Sequence, residues 1–118
     1  MAEDKLKKLS KKRQQAHQAW LSFNSGTYKS FLQMADATYR DGALPKKIKE
    51  LIALGISVTM NCESCMQWHV EQAVKDGATL EELLEAIEVG MEMGGGPATA
   101  SARFTLDVMK DIGLIQED

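Results

Sequence analysis

The residues Cys62-Glu63-Ser64-Cys65-Met66-Gln67-Trp68-His69 concentrate the chemistry of this 118-residue chain. Two cysteines separated by two residues, at the predicted start of a helix, form a candidate redox pair. The first turn of a helix presents free N–H groups and the positive end of its dipole, and both stabilise a thiolate. A thiolate is the nucleophile in disulfide exchange and in peroxide reduction. The spacing also lets the two sulfurs meet within one turn and close a small-loop disulfide. His69 lies four residues beyond Cys65 and seven beyond Cys62, so all three fall near one helix face. An imidazole there accepts a thiol proton or pairs with the thiolate. The dipole favours Cys62 as the more acidic thiol, whereas proximity to His69 favours Cys65. Glu50 stands at the mouth of an apolar segment, twelve residues before Cys62. If its helix packs against the cysteine helix, its carboxylate reaches His69, orients the ring, and takes or returns protons.

The rest of the chain must position these groups. The composition is that of a soluble globular domain, 44% hydrophobic and 26% charged. Two prolines permit long helices, and seven aromatic residues are few for an all-β protein. The net charge is -3, which excludes a bulk polycation built for nucleic acid. Residues 1–13 carry six basic side chains against Glu3 and Asp4, a local +4, which leaves -7 on the remainder. That basic head reads as a solvated helix face. No apolar run reaches membrane-spanning length, and the N-terminus lacks the order of a signal peptide, so a cytoplasmic protein without membrane contact is expected.

Leu6, Leu9, Ala16, Trp20 and Phe23 recur at helical spacing and predict a basic amphipathic helix over 1–24. Asn24-Ser25-Gly26 breaks it. Tyr28 to Tyr39 mark a second helix, predicted to end at Asp41-Gly42 with the glycine in the left-handed conformation. Pro45 opens a third, apolar or small on every side from Leu51 to Met60, and therefore expected to be central. The fourth begins at Cys62 and runs to Asp76-Gly77. Thr79 and Glu82 form a capping box for the fifth. Gly94-Gly95-Gly96 halts it and Pro97 starts a sixth. The expectation is one all-α domain over 1–118, with about six helices and short connections.

The pattern Glu50…Cys62-x-x-Cys65-x-x-x-His69 resembles the signature of the alkylhydroperoxidase (AhpD-like) proteins of the carboxymuconolactone decarboxylase superfamily. Gly94-Gly95-Gly96-Pro97-Ala98 resembles its glycine-rich helix junction, and the resemblance covers about residues 43–109. It implies an AhpD-like helical bundle assembled as a trimer or hexamer. It also implies that Cys65 attacks a hydroperoxide, that Cys62 resolves the product to a disulfide, and that His69 and Glu50 relay protons. The partners implied are a hydroperoxide substrate and an external dithiol or protein reductant, with neither cofactor nor metal. The family's full-length peroxidases carry a second histidine just before the second cysteine; here that position is Ser64, which implies a shorter relay. A homo-oligomer is expected on physical grounds too, because the first and third helices offer more apolar surface than one small core needs.

Other readings stay open at this point. The cysteines could be plain core residues, or zinc ligands with His69 and Glu50. The superfamily name admits lactone decarboxylation, although that branch works without a cysteine pair. A redox-sensing oligomer without rapid turnover is a non-enzymatic alternative. His17 reads as a surface residue, Trp68 as exposed or a subunit contact, and Met60 and Met66 as lining the thiol pocket.

Overall fold

The computed structural model describes residues 2–116. Five helices follow one another: α1 (Ala2–Ser22), α2 (Gly26–Thr38), α3 (Lys46–Thr59), α4 (Glu63–Lys75) and α5 (Leu80–Asp111). No strand occurs among the described residues. The chain divides into two compact units, one up to Asp41 and one from Gly42 onward.

In the first unit α1 closes with the Phe23 and Asn24 N–H groups donating to the Ala19 and Leu21 carbonyls. Asn24 takes a left-handed conformation (φ 55°), which asparagine tolerates better than most residues. Ser25 then caps α2, its side chain accepting the Tyr28 N–H. Aromatic contacts join the two helices: Trp20 stacks on Tyr28, and His17 Nδ1 lies 2.5 Å from the Tyr28 hydroxyl. His17 is therefore half-buried, a correction to its reading as a surface residue. Its partner lies across a turn that helical spacing does not reveal. α2 buries none of its residues, and Phe31 and Met34 are exposed on it.

α2 also ends earlier than predicted. The Tyr39 N–H closes the last turn on the Ala35 carbonyl, and Gly42 does not adopt a positive φ. Gly42 instead donates to the Leu44 carbonyl in the connection to α3. Left-handed glycines that end helices are found instead at Gly77 after α4 (φ 93°) and at Gly113 after α5 (φ 81°).

The second unit is a three-helix assembly in which α3 packs on both α4 and α5, and α4 packs on α5. Pro45 stands at the head of α3 as its N-cap, one position before the first turn in which it was expected, its carbonyl accepting from Ile48 and Lys49. Leu54 and Val58 of α3, Met66 and Val70 of α4, and Leu83 and Val108 of α5 are fully buried. At the α3–α5 crossing the backbones nearly touch. A Cβ on Gly90 would lie 2.5 Å from the Gly55 carbonyl oxygen and 2.9 Å from Val58 Cβ. Thr59 bridges the same crossing by donating to the Gly90 carbonyl at 3.1 Å. α3 is central but not enclosed: Ile52, Ile56 and Met60 form an exposed stripe, because α4 and α5 cover only part of its circumference. Met60 is thus at the surface, whereas Met66 is in the core.

The capping box of α5 is present in full. Thr79 accepts the Glu82 N–H, and Glu82 accepts the Thr79 N–H. α5 is a run of two helices that meet at a kink in the glycine run, so the halt and restart expected over residues 94–97 are present and the expectation of about six helices holds among the described residues. Its backbone departs from helical angles at Gly95 (φ 70°, ψ -149°), two residues before Pro97. A glycine accepts that φ without a Cβ penalty. Proline lacks an N–H and would clash with the preceding turn, so the departure falls where an unbroken helix could not accommodate it.

Candidate functional site

The site grows from the short connection between α3 and α4. The Asn61 N–H returns to the Val58 carbonyl and the Cys62 N–H to the Ser57 carbonyl. Asn61 is left-handed (φ 56°), which turns the chain sharply into α4. Its side-chain oxygen accepts the Ser101 hydroxyl of α5 at 2.5 Å. Cys62 is the N-cap of α4, and its Sγ accepts the Cys65 backbone N–H at 3.2 Å. The two cysteines are joined as a disulfide, with Cα atoms 5.2 Å apart. Their side chains are neither fully buried nor fully exposed, and Ser64 between them faces solvent. Trp68 is exposed on the same helix.

One turn beyond Cys65, His69 points toward α3. Its Nδ1 lies 2.6 Å from Oε1 of Glu50. The Glu50 side chain is only 2% exposed and that of His69 14%. The structure therefore brings together all four residues singled out from the sequence: Cys62, Cys65 and His69 on α4, and Glu50 from α3. The Glu50–His69 contact is what the sequence could pose only as a condition on packing.

Two further residues belong to this arrangement. The Lys46 ammonium donates to Oε2 of Glu50 at 3.1 Å and to Oδ2 of Asp76 at 2.7 Å. Lys46 stands four residues before Glu50 on α3, a spacing at which opposite charges meet, and this was the available signal for it. Asp76 is the C-cap of α4, and no local pattern joins it to Lys46 thirty residues away. Burial pulls the Lys46 ammonium down, but hydrogen bonds to Asp76 and Glu50, with their charges, outweigh burial. The net shift is upward from the ordinary lysine value. No buried side-chain polar atom lacks a partner among the described residues.

Chemically, the arrangement is a disulfide at a helix N-terminus, with a buried carboxylate–imidazole couple between that helix and α3. Among the described residues no three or more His, Cys, Asp or Glu side chains are arranged to hold a metal ion. Glu50 and His69 instead serve each other as hydrogen-bond partners. Among the described residues no helix is long and apolar enough to cross a membrane.

Residues 26–107 match the sequence profile described as the carboxymuconolactone decarboxylase family. An uncharacterized protein of the cox locus in Paracoccus denitrificans is 40% identical over 83 residues, covering 70% of this chain and 75% of its own. Among solved structures, an apo carboxymuconolactone decarboxylase family protein from Legionella pneumophila superposes with a TM-score of 0.86 at 34% identity. That match covers 92% of this chain and 96% of the other. A family protein from Thermotoga maritima, whose description links it as a possibility to an antioxidative response, superposes with a TM-score of 0.81. It is 28% identical, and the match covers 89% of each chain.

Proposed function

The chain belongs to the carboxymuconolactone decarboxylase family, and from that premise we propose that it is a thiol-dependent peroxidase of the alkylhydroperoxidase type. The observation that carries the reading is the 2.6 Å contact between Glu50 and His69, on the helix whose first turn holds both cysteines. A carboxylate on Nδ1 fixes the ring and its tautomer, and leaves Nε2 as the nitrogen that exchanges a proton with a sulfur.

In the reduced protein, His69 takes the proton of Cys65. The thiolate attacks one oxygen of a hydroperoxide, the O–O bond breaks, and the leaving alkoxide takes a proton to become the alcohol. Cys65 is then a sulfenic acid. Cys62 attacks that sulfur, the S–O bond breaks, water leaves, and the disulfide forms. An external dithiol returns two electrons and two protons by exchange. Cys62, held as the N-cap, is the better leaving sulfur in that exchange, because the helix N–H groups stabilise its thiolate. This reconciles the dipole, which favours Cys62, with the neighbouring imidazole, which favours Cys65 as the attacking residue. The antioxidative description of the Thermotoga relative supports the same chemistry.

The deciding experiment is hydroperoxide consumption by purified protein supplied with a dithiol. Turnover that disappears in Cys65→Ser supports the reading, and equal rates in the two proteins would end it. Rapid disulfide formation with negligible cycling would point instead to a sensor of oxidant.

A further inference from the structure

The two oxygens of Glu50 are divided between two partners. Oε1 faces His69 Nδ1 at 2.6 Å, and Oε2 accepts from Lys46 at 3.1 Å. Glu50 is almost wholly buried, and a buried carboxylate is costly unless a cation compensates it. Two neighbouring groups can supply that cation, His69 and Lys46, and the choice has a chemical consequence. If the imidazole supplies it, both ring nitrogens carry protons and Nε2 can accept none. If the ammonium of Lys46 supplies it, the ring stays neutral. Nδ1–H is then donated to Glu50, and Nε2 keeps its lone pair for a thiol proton.

We propose that Lys46 is a positioning residue of the proton relay: its ammonium holds Oε2 of Glu50 and offsets the buried charge, so that His69 remains a base. This role rests on the peroxidase reading and extends it to a residue outside the cysteine–histidine motif. The charged neighbours agree with the assignment. On α3, Lys47 is turned away to Glu82 of α5 at 3.0 Å. On α4, Asp76 holds the Lys46 ammonium from the other side at 2.7 Å. Asp76 is 25% exposed, so water shares its charge, whereas Glu50 at 2% depends on its protein partners. The upward shift of the Lys46 ammonium keeps it charged throughout the neutral range.

The test uses the full-length 15N-labelled protein in its disulfide form, in which no thiol titrates. Imidazole 15N shifts at one neutral pH separate a neutral ring protonated on Nδ1 from an imidazolium. His17 in the first unit serves as the internal reference. Wild type and Lys46→Arg are expected to show the neutral ring at His69. In Lys46→Met the ratio of imidazolium to neutral ring should rise roughly tenfold or more, as expected when the buried carboxylate bonded to the ring loses its compensating cation. Asp76→Asn removes the competing carboxylate and should not move His69 toward imidazolium. Helical circular dichroism of each variant confirms folding.

Unchanged His69 signals in Lys46→Met overturn the proposal. In turnover, Lys46→Met should lose about tenfold at neutral pH. The acid limb of its pH profile should move to higher pH, and Lys46→Arg should restore both. If wild type consumes no peroxide while the ring signals respond as described, the peroxidase reading fails and the control of His69 by Lys46 stands. If wild type turns over and Lys46→Met matches it in ring signals and pH profile, the role of Lys46 fails and the peroxidase reading stands.

Discussion

The sulfur of Cys62 accepts the backbone N–H of Cys65 at 3.2 Å, so one cysteine caps the helix on which the other rides. The helix start and the disulfide are therefore one structure, and the surroundings of each sulfur follow from its place in the first turn of α4. The two are not equivalent, and exchanging each in turn separates their roles.

In the reduced protein, one equivalent of hydroperoxide should remove both of the chain's two thiols. Cys62→Ser should lose its remaining thiol to a sulfenic acid that a dimedone-type probe traps. Cys65→Ser should keep its thiol over the same time. Thiol titration with mass spectrometry reads all three, and loss of the thiol in Cys65→Ser as fast as in Cys62→Ser contradicts the assignment.

His69→Ala should lower the rate of peroxide reduction by about two orders of magnitude, the usual contribution of a positioned acid–base group. Glu50→Gln should cost less, about tenfold, because the amide still offers an oxygen to Nδ1 without the charge. Stopped-flow measurement of the first oxidation isolates this step from the reductant. Equal rates for His69→Ala and wild type would remove the relay.

Gly90→Ala should destabilise the second unit by about 1–3 kcal/mol. The added methyl meets the Gly55 carbonyl oxygen at 2.5 Å, and neither backbone can yield without opening the α3–α5 crossing. Urea unfolding followed by circular dichroism gives the difference. Gly26→Ala, where nothing lies within 4 Å of the added carbon, is the control.

The capping box carries a pH signature. The Thr79 backbone N–H holds the Glu82 carboxyl below the ordinary glutamate value, aided by the hydrogen bond from Lys47 and opposed by desolvation. A carboxyl lowered in the folded state contributes stability above its unfolded value and loses it as pH falls through the folded one. The stability gap between wild type and Glu82→Ala should therefore be full near neutrality and narrow below the ordinary glutamate range. Unfolding curves at both conditions decide it, and a gap that widens in acid contradicts the argument.

We further expect a homo-oligomer, a trimer or hexamer. α2 buries none of its residues, and the Ile52–Ile56–Met60 stripe of α3 is open. Exposed apolar groups of this size favour association. Light scattering at micromolar concentration should give a mass above 13.0 kDa, a multiple of the chain.

Features closed within a few residues were legible in the sequence. Thr79 with Glu82, Cys62 at the head of α4, Pro45 at the head of α3 and Gly77 after α4 each need only local hydrogen bonds. Glu50 and His69 were legible as residue types, but their contact required knowing that α3 packs on α4. What was illegible is long-range or differential. Lys46 meets Asp76 across thirty positions, and His17 meets Tyr28 across a turn. The open flank of α3 depends on how much of its circumference its neighbours cover, since Ile52 and Ile56 look no different in sequence from Leu54 and Val58. Gly42 misled because a glycine near a helix end is only one way to finish a helix, and the Tyr39 N–H had already closed α2.

The bond from Ser101 to Asn61 gives the departure at Gly95 a reach beyond its own helix. Ser101 lies past that point on α5, so the angle at which the chain leaves residue 95 sets where its hydroxyl arrives. The hairpin that carries the cysteines thereby takes one of its anchorages from a lever whose fulcrum is a glycine more than thirty residues downstream. Substitutions near that fulcrum should retune the sulfurs without touching them.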